Sequence, residues 1–198
     1  MPDDVGQVIA PWMQTASGRA FDLLTPRPAQ VSLDDIAHAL ARIARFSGHT
    51  PEVWSVAAHS RLVTRIVAQR SSDRELRLAA LLHDAHEAYL GDMTRPVKEA
   101  LAWLDPGARE TWRLLEQRIQ GAIHHAFGLP AFLPVAWSDA IHHADACALH
   151  VEGIMFMTPF ARPWHPLPVP DCPVPALEPC SPAEDARLFA TLLRDLLP

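Results

Sequence analysis

The chain has 198 residues, of which 49% are hydrophobic and 20% charged, and this suits one well-buried domain over residues 1–198 better than two. A formal charge of −6 and a pI near 6.0 speak against a stable complex with nucleic acid, which needs a basic surface to neutralise phosphates, and leave a small molecule as the default partner. Three cysteines without C-x-x-C spacing, Cys147, Cys172 and Cys180, fit neither a disulfide framework nor a thiolate zinc site. With no apolar run long enough to span a bilayer, the expectation is a cytoplasmic protein free of the membrane.

In chain order, "APWMQTASGRAFDLL" (residues 10–24) sets a Ser-Gly turn between two short runs, which predicts a small hairpin. "SLDDIAHALARIARF" predicts a first helix, with Ser32 as cap, acids in the first turn, and Leu33, Ile36, Leu40 and Ile43 at helical spacing. "TPEVWSVAAHSRLVTRIVAQR" predicts a second, capped by Thr50 with Pro51 at its first position, and "SDRELRLAALLHDAHEAYLGD" a third that ends near Gly91. A short helix from about Pro96 to Trp103 and two longer ones, across residues 107–128 and 138–157, continue the pattern. Residues 159–182 hold nine of the 19 prolines, too many for a helix, and read as a surface arm. "SPAEDARLFATLLRDLL" closes the chain as a helix over about 183–197, with Ser181 and Glu184 in capping-box register. The fold class expected is all-α, a helical bundle with an N-terminal β-hairpin and a proline-rich arm.

The third helix carries His83, Asp84, His86 and Glu87 among Leu and Ala, groups that are costly to bury without a purpose. Three- and four-residue spacings turn His83, Asp84 and Glu87 toward one sector. Imidazole and carboxylate together suit a divalent transition metal, and His59 and Asp145, each breaking the apolar face of another predicted helix, complete a set of His59, His83, Asp84 and Asp145. Mn, Co, Fe, Ni, Mg and Zn are all admissible at such a mixed site. Arg45, Arg95 and Lys98 are candidate phosphate holders, the arginines by their forks and the lysine as a point charge. The pairs His124-His125 and His142-His143 receive no role, and Cys147 reads as core packing.

These residues, in "AAHS", "LLHDAHE" and "HHADAC", resemble the HD-domain metal-dependent phosphohydrolases, and "HDAHEAYLGDMTRPVK" resembles the corresponding segment of bacterial 5′-deoxynucleotidases. The resemblance covers about residues 33–152. It implies an HD-type helical bundle, a metal held by the four residues above, and Glu87 beside the metal as the group that positions or deprotonates an attacking water. It also implies a supporting role for Asp92, toward a ligand histidine or the sugar, and nucleotide contacts from Arg45 and Phe46, where the family's aromatic is typically Trp. The activity implied is hydrolysis of a nucleoside 5′-monophosphate. A dNTP triphosphohydrolase and a non-catalytic nucleotide-binding protein stay open as alternatives, as does a homodimer.

Overall fold

The computed structural model describes residues 10–157, 159–164, 166–171, 173–174 and 178–198; Cys172 and the first nine residues lie outside the described residues, as do five positions of the proline-rich arm and its approach. The chain is mostly helical, with one two-stranded antiparallel hairpin, so the expected all-α class holds. Among the described residues no helix is long and apolar enough to cross a membrane.

The hairpin pairs β1 (Trp12–Gln14) with β2 (Ala20–Asp22) across a turn that Gly18 completes at φ 82°, a conformation glycine adopts without a Cβ penalty. Its turn is tethered: the Ser17 backbone N–H and hydroxyl each donate to the buried Asp35 carboxylate at 2.7 Å. Phe21 of β2 is fully buried and stacks on Tyr89 with ring centroids 3.7 Å apart.

α1 (Leu33–Leu40) starts where Ser32 accepts from the Asp35 N–H and buries Ile36, Ala37 and Leu40. It stops there and does not reach Phe46 as the periodicity predicts. Ala44 turns extended instead, because residues 43–45 satisfy their backbone against residues 54–56: Ala44 pairs with Ser55, the Arg45 N–H donates to the Trp54 carbonyl at 2.8 Å, and the Val56 N–H to the Ile43 carbonyl at 3.0 Å. This pairing also moves the second helix start. α2 (Val56–Ala68) is capped by Ser55, whose oxygen accepts from the Ala58 N–H at 3.0 Å, while Thr50 and Pro51 stay outside the helix.

α2 is the central helix. All but two of its residues are buried, and it packs against α3 (Arg74–Leu81), α7 (Val135–Phe156) and α8 (Pro182–Leu196). The third predicted helix is broken. α3, capped by Asp73, ends at Leu81; the next five residues tighten into turns closed by i→i+3 bonds from Ala85 to Leu82 and from Glu87 to Asp84; α4 (Glu87–Leu90) then runs to Gly91. His83 and Asp84 therefore lie in a tight turn between two helices, with Leu81, Leu82 and Ala85 buried on its inner side. α5 (Arg95–Leu104) and α6 (Ala108–Ala126) pack on each other and wall one side of a cavity.

α8 lies across α1, α2 and α3 and buries Phe189, Leu193 and Leu196, each contributing about 1.5–3 kcal/mol of transfer free energy. Ser181 caps it at the Glu184 N–H, but Glu184 pairs with Arg187 rather than closing the expected box. Asp185 is buried and accepts from the Ser55 hydroxyl at 2.6 Å and from Arg61 at 2.8 Å, so the last helix locks the start of α2.

Candidate metal centre and cavity

α2 and the turn after α3 bring two imidazoles together, with ring centroids 5.3 Å apart. Each uses Nδ1 elsewhere: His83 Nδ1 lies 2.9 Å from the Ala80 carbonyl, which only accepts, and His59 Nδ1 lies 2.8 Å from Glu152. Those bonds put a proton on Nδ1 of each ring and turn Nε2 away from the Nδ1 partner. Both Nε2 atoms are buried and without a hydrogen bond, and they face carboxylates, His59 at 3.0 Å from Asp145 and 3.6 Å from Asp84, His83 at 3.1 Å from Asp84. Ligand atoms of His59, His83 and Asp145 all lie within 4.8 Å of one another, so this group could hold a metal ion.

The electrostatics ask for a cation at this point. Burial and Arg45 push the His59 pKa down, but Glu152 and Asp145 more than offset them and carry it up to about 9. Asp84 is held well below the usual carboxylate range, burial being outweighed by His83 and His59, and Asp145 is lowered against burial by its contact with His59. Glu87 goes the other way. It is buried, its Oε2 has no partner, and burial followed by the charges of Asp84 and Asp92 raises its pKa to about 10. Asp92, in the turn past Gly91, is raised by burial, with Asp84 adding to the rise.

The cavity beside these groups encloses about 1120 Å³ and is lined by Asp84, Glu87, Asp92 and Asp145 on one wall. Arg45, Phe46, Arg95 and Lys98, the four residues read as substrate contacts, all line it too. Two of the cations are already engaged. Arg45 donates from Nε to Glu152 at 3.1 Å and sits 3.9 Å from Asp84, and Lys98 donates to Glu116 at 2.7 Å.

Glu116, which the sequence pattern does not single out, is a hub. It accepts from Lys98 and from the Trp112 indole at 2.6 Å, with His86 3.6 Å away. Burial alone would raise its pKa, but His86 and Lys98 bring it down to about 2. A carboxyl with a depressed folded pKa stabilises the fold above its unfolded value of 4.5 and loses that contribution as pH falls toward 2. The stability gap between wild type and Glu116→Gln should be on the order of 1–2 kcal/mol at neutral pH, discounted for partial exposure, and should close below about pH 4 in urea titrations. A gap independent of pH would remove the ion pairs as its cause.

The larger omission is Glu152, fully buried and accepting from three donors: His59 Nδ1, Arg45 Nε and the Trp54 indole at 2.7 Å. Its signal was present in "HVEGIMFM": a single acid in an apolar run, seven residues past Asp145 and so two turns along the same helix face.

No family model matches the chain. It is 42% identical over 146 residues to an uncharacterized protein of Rhodobacter capsulatus, covering 72% of this chain and 71% of that one. It is also 33% identical over 132 residues to the uncharacterized protein YfdR of Escherichia coli, covering 66% of this chain and 67% of YfdR.

Proposed function

The chain belongs to the family of those Rhodobacter capsulatus and Escherichia coli proteins, and from the site's geometry and the resemblance of its motifs we propose a divalent-metal-dependent phosphohydrolase of the HD type, acting on nucleoside 5′-monophosphates. The observation that carries the reading is the pair of buried Nε2 atoms without hydrogen bonds, aimed at two aspartates beside the unpartnered carboxyl of Glu87.

His59, His83, Asp84 and Asp145 would hold the metal. The Nδ1 partners of the two imidazoles fix the ring orientation, and the Nε2 proton that His59 holds in the absence of a metal would give way to one. A bound metal supplies Lewis acidity, lowering the pKa of water and neutralising charge on a phosphate. Without a cation beside Asp84 and Asp92, burial and their charges keep Glu87 protonated; with the metal bound, its carboxylate would be the group to accept a proton from the attacking water. Arg45, anchored by Glu152, presents its guanidinium to the cavity as a hydrogen-bond donor for phosphate oxygens, and Arg95 adds a second fork nearby. Asp92 stands between Glu87 and α5, placed to accept from a sugar hydroxyl.

The test is phosphate release from nucleoside mono-, di- and triphosphates with Mn, Co, Mg and Ni, with a chromatographic assay for triphosphate run beside it. Monophosphates should release inorganic phosphate only with metal present. Release of triphosphate from dNTPs would replace this reading by triphosphohydrolysis, and no release from any nucleotide under any metal would sink both. A second expected result concerns stability. A metal that binds only the folded chain adds about 2.7 kcal/mol at a hundredfold excess over Kd. Chelation should therefore lower Tm by about 5–10 °C for a chain of this size, read by calorimetry with and without chelator.

A further inference from the structure

The proline-rich arm brings an aromatic residue to the cavity. Trp164, 38% exposed, lines it, with its ring stacked toward Phe46 at a centroid distance of 6.1 Å and against Phe160 at 4.9 Å. The ring is seated on α7 at Gly153, where a Cβ would lie 2.8 Å from Trp164 Cζ3, so the site of contact admits no side chain. Phe46 is presented by a strained backbone: it and Ser47 hold φ of 55° and 52°, the left-handed region that non-glycine residues avoid at about 1–3 kcal/mol each. Leu149, Met157, Pro163 and Leu167 line the same cavity, as do Arg45, Arg95 and Lys98, and the Arg45 guanidinium carbon lies over the Phe46 ring, 5.5 Å from its centroid. The cavity thus offers an aromatic and apolar surface together with cationic groups, in one lining with the candidate metal ligands Asp84 and Asp145.

We propose that the Trp164–Phe46 wall is the subsite for the base of a nucleotide, which makes Trp164 a specificity-determining residue and gives the arm the task of selecting phosphate esters that carry a flat aromatic group. The proposal rests on the phosphohydrolase reading for its phosphate end, but its stacking end stands on the geometry of α7, the arm and the strained loop. Every base offers a π face, so stacking on aromatic side chains favours nucleotides as a class over sugar phosphates and discriminates little between bases.

The experiment measures equilibrium binding by calorimetry on the full chain with Mn, in the Glu87→Gln background so that turnover does not consume ligand. The probes are adenosine 5′-monophosphate, ribose 5-phosphate and octyl phosphate. The nucleotide should bind about tenfold or more tighter than ribose 5-phosphate, Trp164→Ala should erase that excess without weakening ribose 5-phosphate, and Trp164→Phe should keep most of it. Gly153→Val, which displaces the ring without touching the cavity's charged groups, should repeat the loss. An excess that survives in Trp164→Ala, or octyl phosphate binding as tightly as the nucleotide, overturns the proposal. Because binding is read without catalysis, absence of hydrolysis in the wild-type screen would defeat the phosphohydrolase reading and leave the stacking result to stand or fall by itself.

Discussion

Glu87→Gln is expected to lower kcat by about a hundred- to ten-thousandfold, the usual size of a general-base contribution, while metal content and nucleotide affinity persist. The substitution keeps the side-chain volume and leaves His59, His83, Asp84 and Asp145 intact, so only the proton acceptor is lost. A purely structural Glu87 predicts a different pattern. The carboxyl is buried with Oε2 unpaired, and its pKa is raised from 4.5 to about 10. In the metal-free protein the folded state then binds one more proton than the unfolded state between those values, so stability falls as pH rises through that window. Gln carries no such proton. Metal-free Glu87→Gln should accordingly be the more stable protein at neutral pH and should lose less stability toward alkaline pH. The kinetic arm compares kcat at matched metal occupancy; agreement within about threefold would mean that Glu87 is not the base.

Glu152→Leu is expected to weaken metal binding by about ten- to a hundredfold, although Glu152 is no metal ligand, because the Nδ1 partner that orients His59 is gone. It also leaves the Arg45 guanidinium and the Trp54 indole buried without an acceptor. Removing one member of a buried pair costs about 3–5 kcal/mol, so the variant should melt well below wild type. Glu152→Gln separates the two effects. Oε1 accepts from both His59 and Trp54, and Oε2 accepts from Arg45, so an amide oxygen kept at the first position preserves the histidine while its NH₂ faces the Arg45 Nε donor. Metal affinity in Glu152→Gln should stay near wild type while phosphate affinity drops. Competition against a chelating dye reads the first and titration of inorganic phosphate the second; unchanged metal affinity in Glu152→Leu would show that His59 holds its orientation without help.

The candidate site was legible to the extent that its groups stand out against an apolar background. His59, His83, Asp145 and Glu87 interrupt runs of Ala, Leu and Val, and the structure gathers them in one place. Glu152 and Glu116 were passed over because an acid on an amphipathic helix is ordinarily a solvated one, and only three-dimensional neighbours distinguish a hub from a surface charge. The helix boundaries show the same division. Ser32 and Ser181 cap as their local signals predict, but Thr50-Pro51, an equally good local signal, loses to Ser55 because residues 54–56 satisfy their backbone against residues 43–45 before the helix begins. Likewise, periodicity carries α3 straight through His83 and Asp84, since apolar spacing does not report a change from i→i+4 to i→i+3 bonding. Trp164 lies in a segment with no period at all.

The clasp formed by Asp185 on Ser55 and Arg61 has a consequence for how the molecule comes into being. Its partners are 130 and 124 residues apart in sequence, so a growing chain emerges from the ribosome with α2 complete and its buried arginine lacking a counter-ion for most of synthesis. Closure of such distant contacts is slow compared with forming the helices themselves. The start of α2, the helix that carries His59, is therefore locked only after α8 has docked, and that lock is a late event in the chain's maturation.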